Sequence, residues 1–206
     1  MRTLIVALCL AATAAAAQEP SDIPRAALVA LVPTPAGVRE TRTYERYVIH
    51  GSSTEALASQ MDALGPHSAD EIAPALTRSD QQASLTYVSN GSGCRISDVR
   101  VTLGVTIILP VWDIPRDASA ALRAEWDRFL GALERHELGH RAIALSGARH
   151  LYDSLNRLRG RSCDTLHSAA EYASRDQAAA TKTEQIAYDD STRHGLNQGT
   201  TLANVR

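Results

Sequence analysis

The segment Trp126–His140, WDRFLGALERHELGH, decides how this chain reads. Apolar side chains recur at helical spacing at Leu122, Trp126, Phe129, Leu133, Ile143, Leu151, Leu155 and Leu158, and His136 and His140 continue that stripe. Residues four apart share a helix face, so both imidazoles aim at one point on the interior side. Histidines on an exposed helix would have no reason to keep this register, and buried ones need partners. His136-Glu137-Leu138-Gly139-His140 is an instance of H-E-x-x-H. In that arrangement two histidines hold zinc and the glutamate takes a proton from the water that zinc activates. Composition alone predicts roughly 0.01 occurrences of the pattern in a chain of this length. The reading therefore calls for one Zn2+, ligated by His136 and His140, with Glu137 as general base.

Working outward, the spacing predicts a helix from Asp117 or Ser119 to about Leu158, closed by Gly160. That is longer than usual, so a kink or break is expected near Gly131 or Gly147. A second helix should run from Asp164 to about Ala187, followed by a polar tail, Tyr188 to Arg206. Upstream, Thr43–His50 reads as a strand, and Ser53 as the cap of a short helix ending at Leu64 before Gly65-Pro66. Residues 66–80 read as loop. Ser84–Ser89 and Ile96–Leu109 alternate as strands around Asn90-Gly91-Ser92-Gly93, which predicts an antiparallel hairpin, with Pro110 ending the second strand. The fold class is α+β: a small antiparallel sheet packed on a long active-site helix and a second C-terminal helix.

Residues 1–17 have the form of a signal peptide: Arg2, an apolar run from Leu4 to Ala12, and small residues before a cut near Gln18. The protein is expected to be exported, periplasmic or secreted. Residues 18–41 carry Pro20, Pro24, Pro33 and Pro35 and read as an extended lead-in, leaving 42–206 as one domain. No second apolar run of spanning length follows the signal. A net charge of −2 gives no electrostatic footprint for nucleic acid. The expected partner is a protein or peptide substrate, and the chain is expected to be a monomer. Export leaves two cysteines, Cys94 and Cys163, which should form a disulfide.

Three stretches together resemble a bacterial family of predicted secreted zinc-dependent proteases, formerly catalogued as a domain of unknown function. They are Thr102-Leu103 to Leu109-Pro110-Val111-Trp112, Trp126 through the HELGH segment, and Tyr188-Asp189-Asp190-Ser191-Thr192-Arg193-His194-Gly195, which fits YDxxTxHG. The resemblance covers most of the chain after the leader. It implies a zincin-like metallopeptidase, with the substrate lying extended along a strand edge for which the 96–109 strand is the candidate. An inactive zinc-binding envelope module, a zinc amidase acting on cell-wall peptide and an envelope interaction protein without metal are the rival readings.

A catalytic zinc needs a third protein ligand. Residue 146 is Ser146, and His150 lies nearly three turns beyond His140, about 15 Å along a continuous helix. Glu171 and Glu184 on the second helix are options, as are Asp189 and Asp190. The YDxxTxHG match favours His194, with Tyr188 as hydrogen-bond donor to the developing oxyanion and Asp189 as an orienter of a ligand histidine.

Overall fold

In a computed structural model, residues 30–32, 37–68, 71–89 and 91–203 are described, with 30–32 and 71 in backbone only. The expected signal peptide therefore lies outside the described residues. The elements in chain order are β1 (Ala30–Val32), β2 (Val38–Ile49), α1 (Thr54–Leu64), β3 (His67–Ser68), β4 (Glu71–Ile72), β5 (Leu76–Ser89), β6 (Cys94–Trp112), α2 (Ala120–Arg157), β7 (Arg159–Gly160) and α3 (Cys163–Thr192). A short 3-10 turn, Leu196–Gln198, follows. The class is α+β, as the periodicities require.

The main sheet runs β1-β2-β6-β5, with β7 pairing the start of β6. β5 and β6 are antiparallel, as the turn chemistry predicts, but β2 lies parallel to β6 from Val38↔Val101 to Ile49↔Trp112. The sheet is thus mixed. Hairpin rules identify neighbours close in sequence, whereas this pairing spans some sixty residues. Several boundaries also differ from expectation, among them the end of α3, which runs on to Thr192 and takes in Tyr188 and Asp189 from the segment read as a tail. β5 begins at Leu76, inside the segment read as loop, and β2 begins at Val38, so the domain starts before residue 42. β6 continues through Pro110 to Trp112. The β5 ladder has ended by Ile108, so a residue without an N–H is tolerated at what has become an edge.

On β6 the helix-facing residues Val99, Val101, Leu103, Val105 and Ile107 are all buried. Ile96 is out of step with them. Between Asp98, opposite Thr86, and Ile96, opposite Tyr87, Ser97 is left unpaired, and this bulge absorbs the odd spacing. The face is covered by α2, through Leu122, Trp126, Phe129, Leu133, Leu151 and Leu155.

Ser119 caps α2 by accepting from the Leu122 N–H, and the helix runs 38 residues without a break. The expected break is absent. At Gly147 the missing side chain is used for contact: a Cβ there would stand 2.2 Å from Thr181 Oγ1, so α3 approaches α2 closely. α2 ends at Arg157, close to the expected Leu158, but its cap is Leu158 and not Gly160, which pairs with Cys94 in β7–β6. The Cys94–Cys163 disulfide forms as expected and ties the start of β6 to the start of α3. Among the described residues no helix is long and apolar enough to cross a membrane.

One polar contact crosses the core. Glu40 on β2 is fully buried, and Arg141 on α2 donates to both of its oxygens, 2.6 Å each. Arg42 Nε stands 3.6 Å from the same carboxylate. A planar guanidinium meeting a carboxylate at two points fixes register as well as charge, so this pair locks α2 against β2 one residue beyond His140.

Candidate metal centre

α2 places His136 and His140 side by side, His136 only 5 % exposed. Their Nε2 atoms are 3.2 Å apart. Asp189, from the last turn of α3, brings Oδ1 to 3.3 Å from His136 Nε2 and 3.0 Å from His140 Nε2. These three are the cluster of potential ligands found among the described residues.

The protons explain what the cluster suits. His140 Nδ1 faces Gln185 Oε1 at 2.5 Å, and Gln185 Nε2 donates to the His140 carbonyl, which fixes the amide's orientation. His136 Nδ1 faces Gln198 Oε1 at 3.0 Å, while Gln198 Nε2 donates to the Tyr188 hydroxyl. An amide oxygen only accepts, so each Nδ1 carries the proton and each Nε2 presents a lone pair. Two lone pairs and a carboxylate oxygen then converge on one point, an arrangement that suits a cation. Four donors about 2.1 Å from a tetrahedral zinc stand about 3.4 Å from one another. The observed separations fit that spacing. Burial, and then the coulombic influence of His140, lower the His136 pKa against the opposing pull of Gln198 and Asp189.

Glu137 is 3 % exposed and accepts from Thr77 Oγ1 at 2.7 Å. Burial raises its pKa; Thr77 and His140 oppose the shift and Asp189 adds to it. A carboxylate moved upward is a better proton acceptor near neutrality. The bond to Thr77 anchors one oxygen and leaves the other to the cleft. That cleft, about 420 Å3, is lined by Thr77, Ser79, His136, Glu137, His140, Asp189 and His194.

The YDxxTxHG segment builds one wall of this centre. Tyr188 stacks on His136, ring centroids 5.1 Å apart and 15° between planes, and meets His140 edge-on. Its hydroxyl donates to the His136 carbonyl at 3.3 Å, so it braces His136, and Tyr188 is not among the residues that line the cleft. Thr192 Oγ1 donates to the Tyr188 carbonyl and accepts from the Gly195 N–H. Arg193, His194 and Gly195 all have positive φ, which reverses the chain and brings Gln198 back to His136.

Asp189, not His194, joins the two histidines. An α-helix carries Asp189 inward, whereas the left-handed turn swings His194 outward; its side chain is 76 % exposed with Nδ1 4.0 Å from Asp189 Oδ1. Glu171 stands two-thirds of the way back along α3, paired with His167 and Arg175, and Glu184 and Asp190 are exposed. Gln185, Gln198 and Thr77 escaped the sequence reading. Gln185 precedes Asp189 by four residues on α3, which places the two on one face, the only signal for it. Thr77 fell in the supposed loop.

Residues 44–195 match the family model described as bacterial protein of unknown function, DUF922. The chain belongs to the DUF922 family. The DUF922 match takes in both histidines, Glu137 and Asp189, whereas Glu40 and Gln198 lie outside it. No curated protein and no solved structure matches the chain.

Proposed function

We propose that this DUF922 chain is a zinc-dependent peptidase, with His136, His140 and Asp189 holding the metal and Glu137 accepting the proton of the attacking water. The observation that carries the proposal is the convergence of three lone-pair donors, with both histidine tautomers fixed by glutamines, beside a buried carboxylate in an open cleft. A bound zinc supplies Lewis acidity, lowering the pKa of water toward about 7 and polarising a carbonyl. The protein's part is orientation. Gln185 and Gln198 hold the ligand rings, Tyr188 backs His136, and Thr77 presents Glu137 so that its free oxygen can take a proton from water and pass it to the leaving amine.

The substrate platform moves from the 96–109 strand to β5. β6 has partners on both sides, whereas β5 is an edge of the sheet and carries Thr77 and Ser79 into the cleft. An extended peptide pairs with such an edge through its backbone.

Elemental analysis of the purified protein should give about one zinc per chain, as a single site implies. Asp189→Ala should lose the metal and His194→Ala should keep it. Glu137→Gln should keep zinc and lose hydrolysis of a peptide library by orders of magnitude. Zinc without cleavage by the wild type would favour a metal-binding module; zinc retained in Asp189→Ala but lost in His194→Ala would restore the histidine as ligand.

A further inference from the structure

A second cavity, about 510 Å3, lies beside the cleft at His136 and His140. Ser79, Gln185 and Asp189 line both, so the two adjoin. The cavity lies between β5 and α3, and its existence follows from the sequence. On the helix face of the sheet β6 presents large apolar residues, but β5 presents Thr77, Ser79, Gln81 and Ala83 in register beside them. α3 faces this strip with Ser174, Ala178 and Thr181. Small side chains on both walls leave the gap that α2 fills elsewhere.

The floor is apolar: Leu103, Ala144 and Leu151, all buried in the core. Ile186, a large apolar residue lining the cavity, is left 52 % exposed by the described residues. Asp80 belongs to the alternate set of β5 and turns its carboxylate to the other face of the sheet, where Gln82 Nε2 donates to it at 3.0 Å. Lys182 is exposed at the mouth, where its stem adds apolar wall and its ammonium reaches water.

We infer that this cavity receives an apolar side chain of the substrate, leucine- or phenylalanine-sized, next to the scissile bond. The inference rests on the peptidase reading for the identity of the ligand as a peptide, though not for the pocket's preference. A dry cavity of about 150 Å3 already holds benzene, so a phenyl ring fits with room for its backbone. A peptide following the free edge of β5 from Thr77 toward Ala83 passes directly over it.

The test uses dye-labelled peptides differing at one residue: alanine, leucine, phenylalanine, aspartate or lysine. Binding to zinc-loaded Glu137→Gln protein is read by fluorescence anisotropy, and cleavage by otherwise wild-type protein by mass spectrometry. Leucine and phenylalanine peptides should bind at least about tenfold more tightly than alanine, the scale expected for added methylenes in an apolar pocket. Ala178→Trp fills the cavity from an exposed helix position and should remove that preference. Ile186→Asp, also at an exposed position, should do the same if the tryptophan variant folds poorly. Equal binding of all peptides, tightest binding of the aspartate peptide, or a preference that survives both variants overturns the inference. Cleavage without side-chain preference leaves the peptidase reading and removes the pocket; preference in binding without cleavage by wild type does the reverse.

Discussion

A Cβ on Gly139 would stand 2.1 Å from the hydroxyl oxygen of Tyr188 and 2.4 Å from its ring. The glycine inside HELGH is therefore the space that lets the first residue of the second motif lie against the helix and back His136. In an ordinary helix interior alanine is favoured over glycine by about 1 kcal/mol. Here the sign should reverse: Gly139→Ala is expected to destabilise by about 1–3 kcal/mol, the usual cost of overpacking, and to weaken zinc binding. In a Tyr188→Ala background the same change should cost less, as contacting residues are not additive. Urea unfolding of the four proteins checks this, and additive effects would remove the contact from the explanation.

Glu40 is fully buried, and Arg141, 17 % exposed, engages both of its carboxylate oxygens. Removing the arginine strands the carboxylate in the core, so Arg141→Ala is expected to cost about 3–5 kcal/mol. Replacing both, Glu40→Leu with Arg141→Met, should recover most of that stability, because a well-packed apolar pair avoids the desolvation penalty. Denaturant midpoints decide between this and a merely peripheral pair, for which neither single nor double variant would matter.

Acid should loosen the C-terminal segment first. Glu125 accepts from Arg128 at 2.6 and 2.8 Å and from the Ala203 N–H, while Arg128 also donates to the carbonyls of Gly199 and Thr201. The Arg128 bonds, chiefly, lower the Glu125 pKa to about 2. A carboxyl depressed in the folded state stabilises fully above its unfolded pKa, about 4.3, and loses that contribution as pH falls toward 2. The stability difference between wild type and Glu125→Gln should therefore be constant above about pH 5 and shrink below it. A difference that persists unchanged at pH 2.5 would contradict the pairing.

Much of the frame was legible because it is written in local periodicity. The α2 stripe, the Ser119 and Ser53 caps, the β5–β6 alternation and the Cys94–Cys163 pairing each depend on neighbours in sequence or on a count of two, and each formed as read. The misreadings have a common cause. Leu76–Asp80 is polar because its helix-facing side lines a cavity and its other side meets solvent, so a strand looked like a loop. Glu40 sat in a proline-bearing lead-in, and nothing local marks a glutamate destined for the core.

The sequence alone determined that two histidines and a glutamate share one helix face, since that follows from 3.6 residues per turn. Which side chain completes the trio depended on where α3 stops. The left-handed turn at Arg193–Gly195 sends His194 outward and returns Gln198 to His136, while the last helical turn carries Asp189 to both Nε2 atoms. That outcome is set by the packing of α3 on α2 through Gly139–Tyr188 and Gly147–Thr181, contacts between residues more than thirty positions apart. Spacing along one helix is fixed by its own geometry, but the meeting of two helices is fixed only by what fits between them.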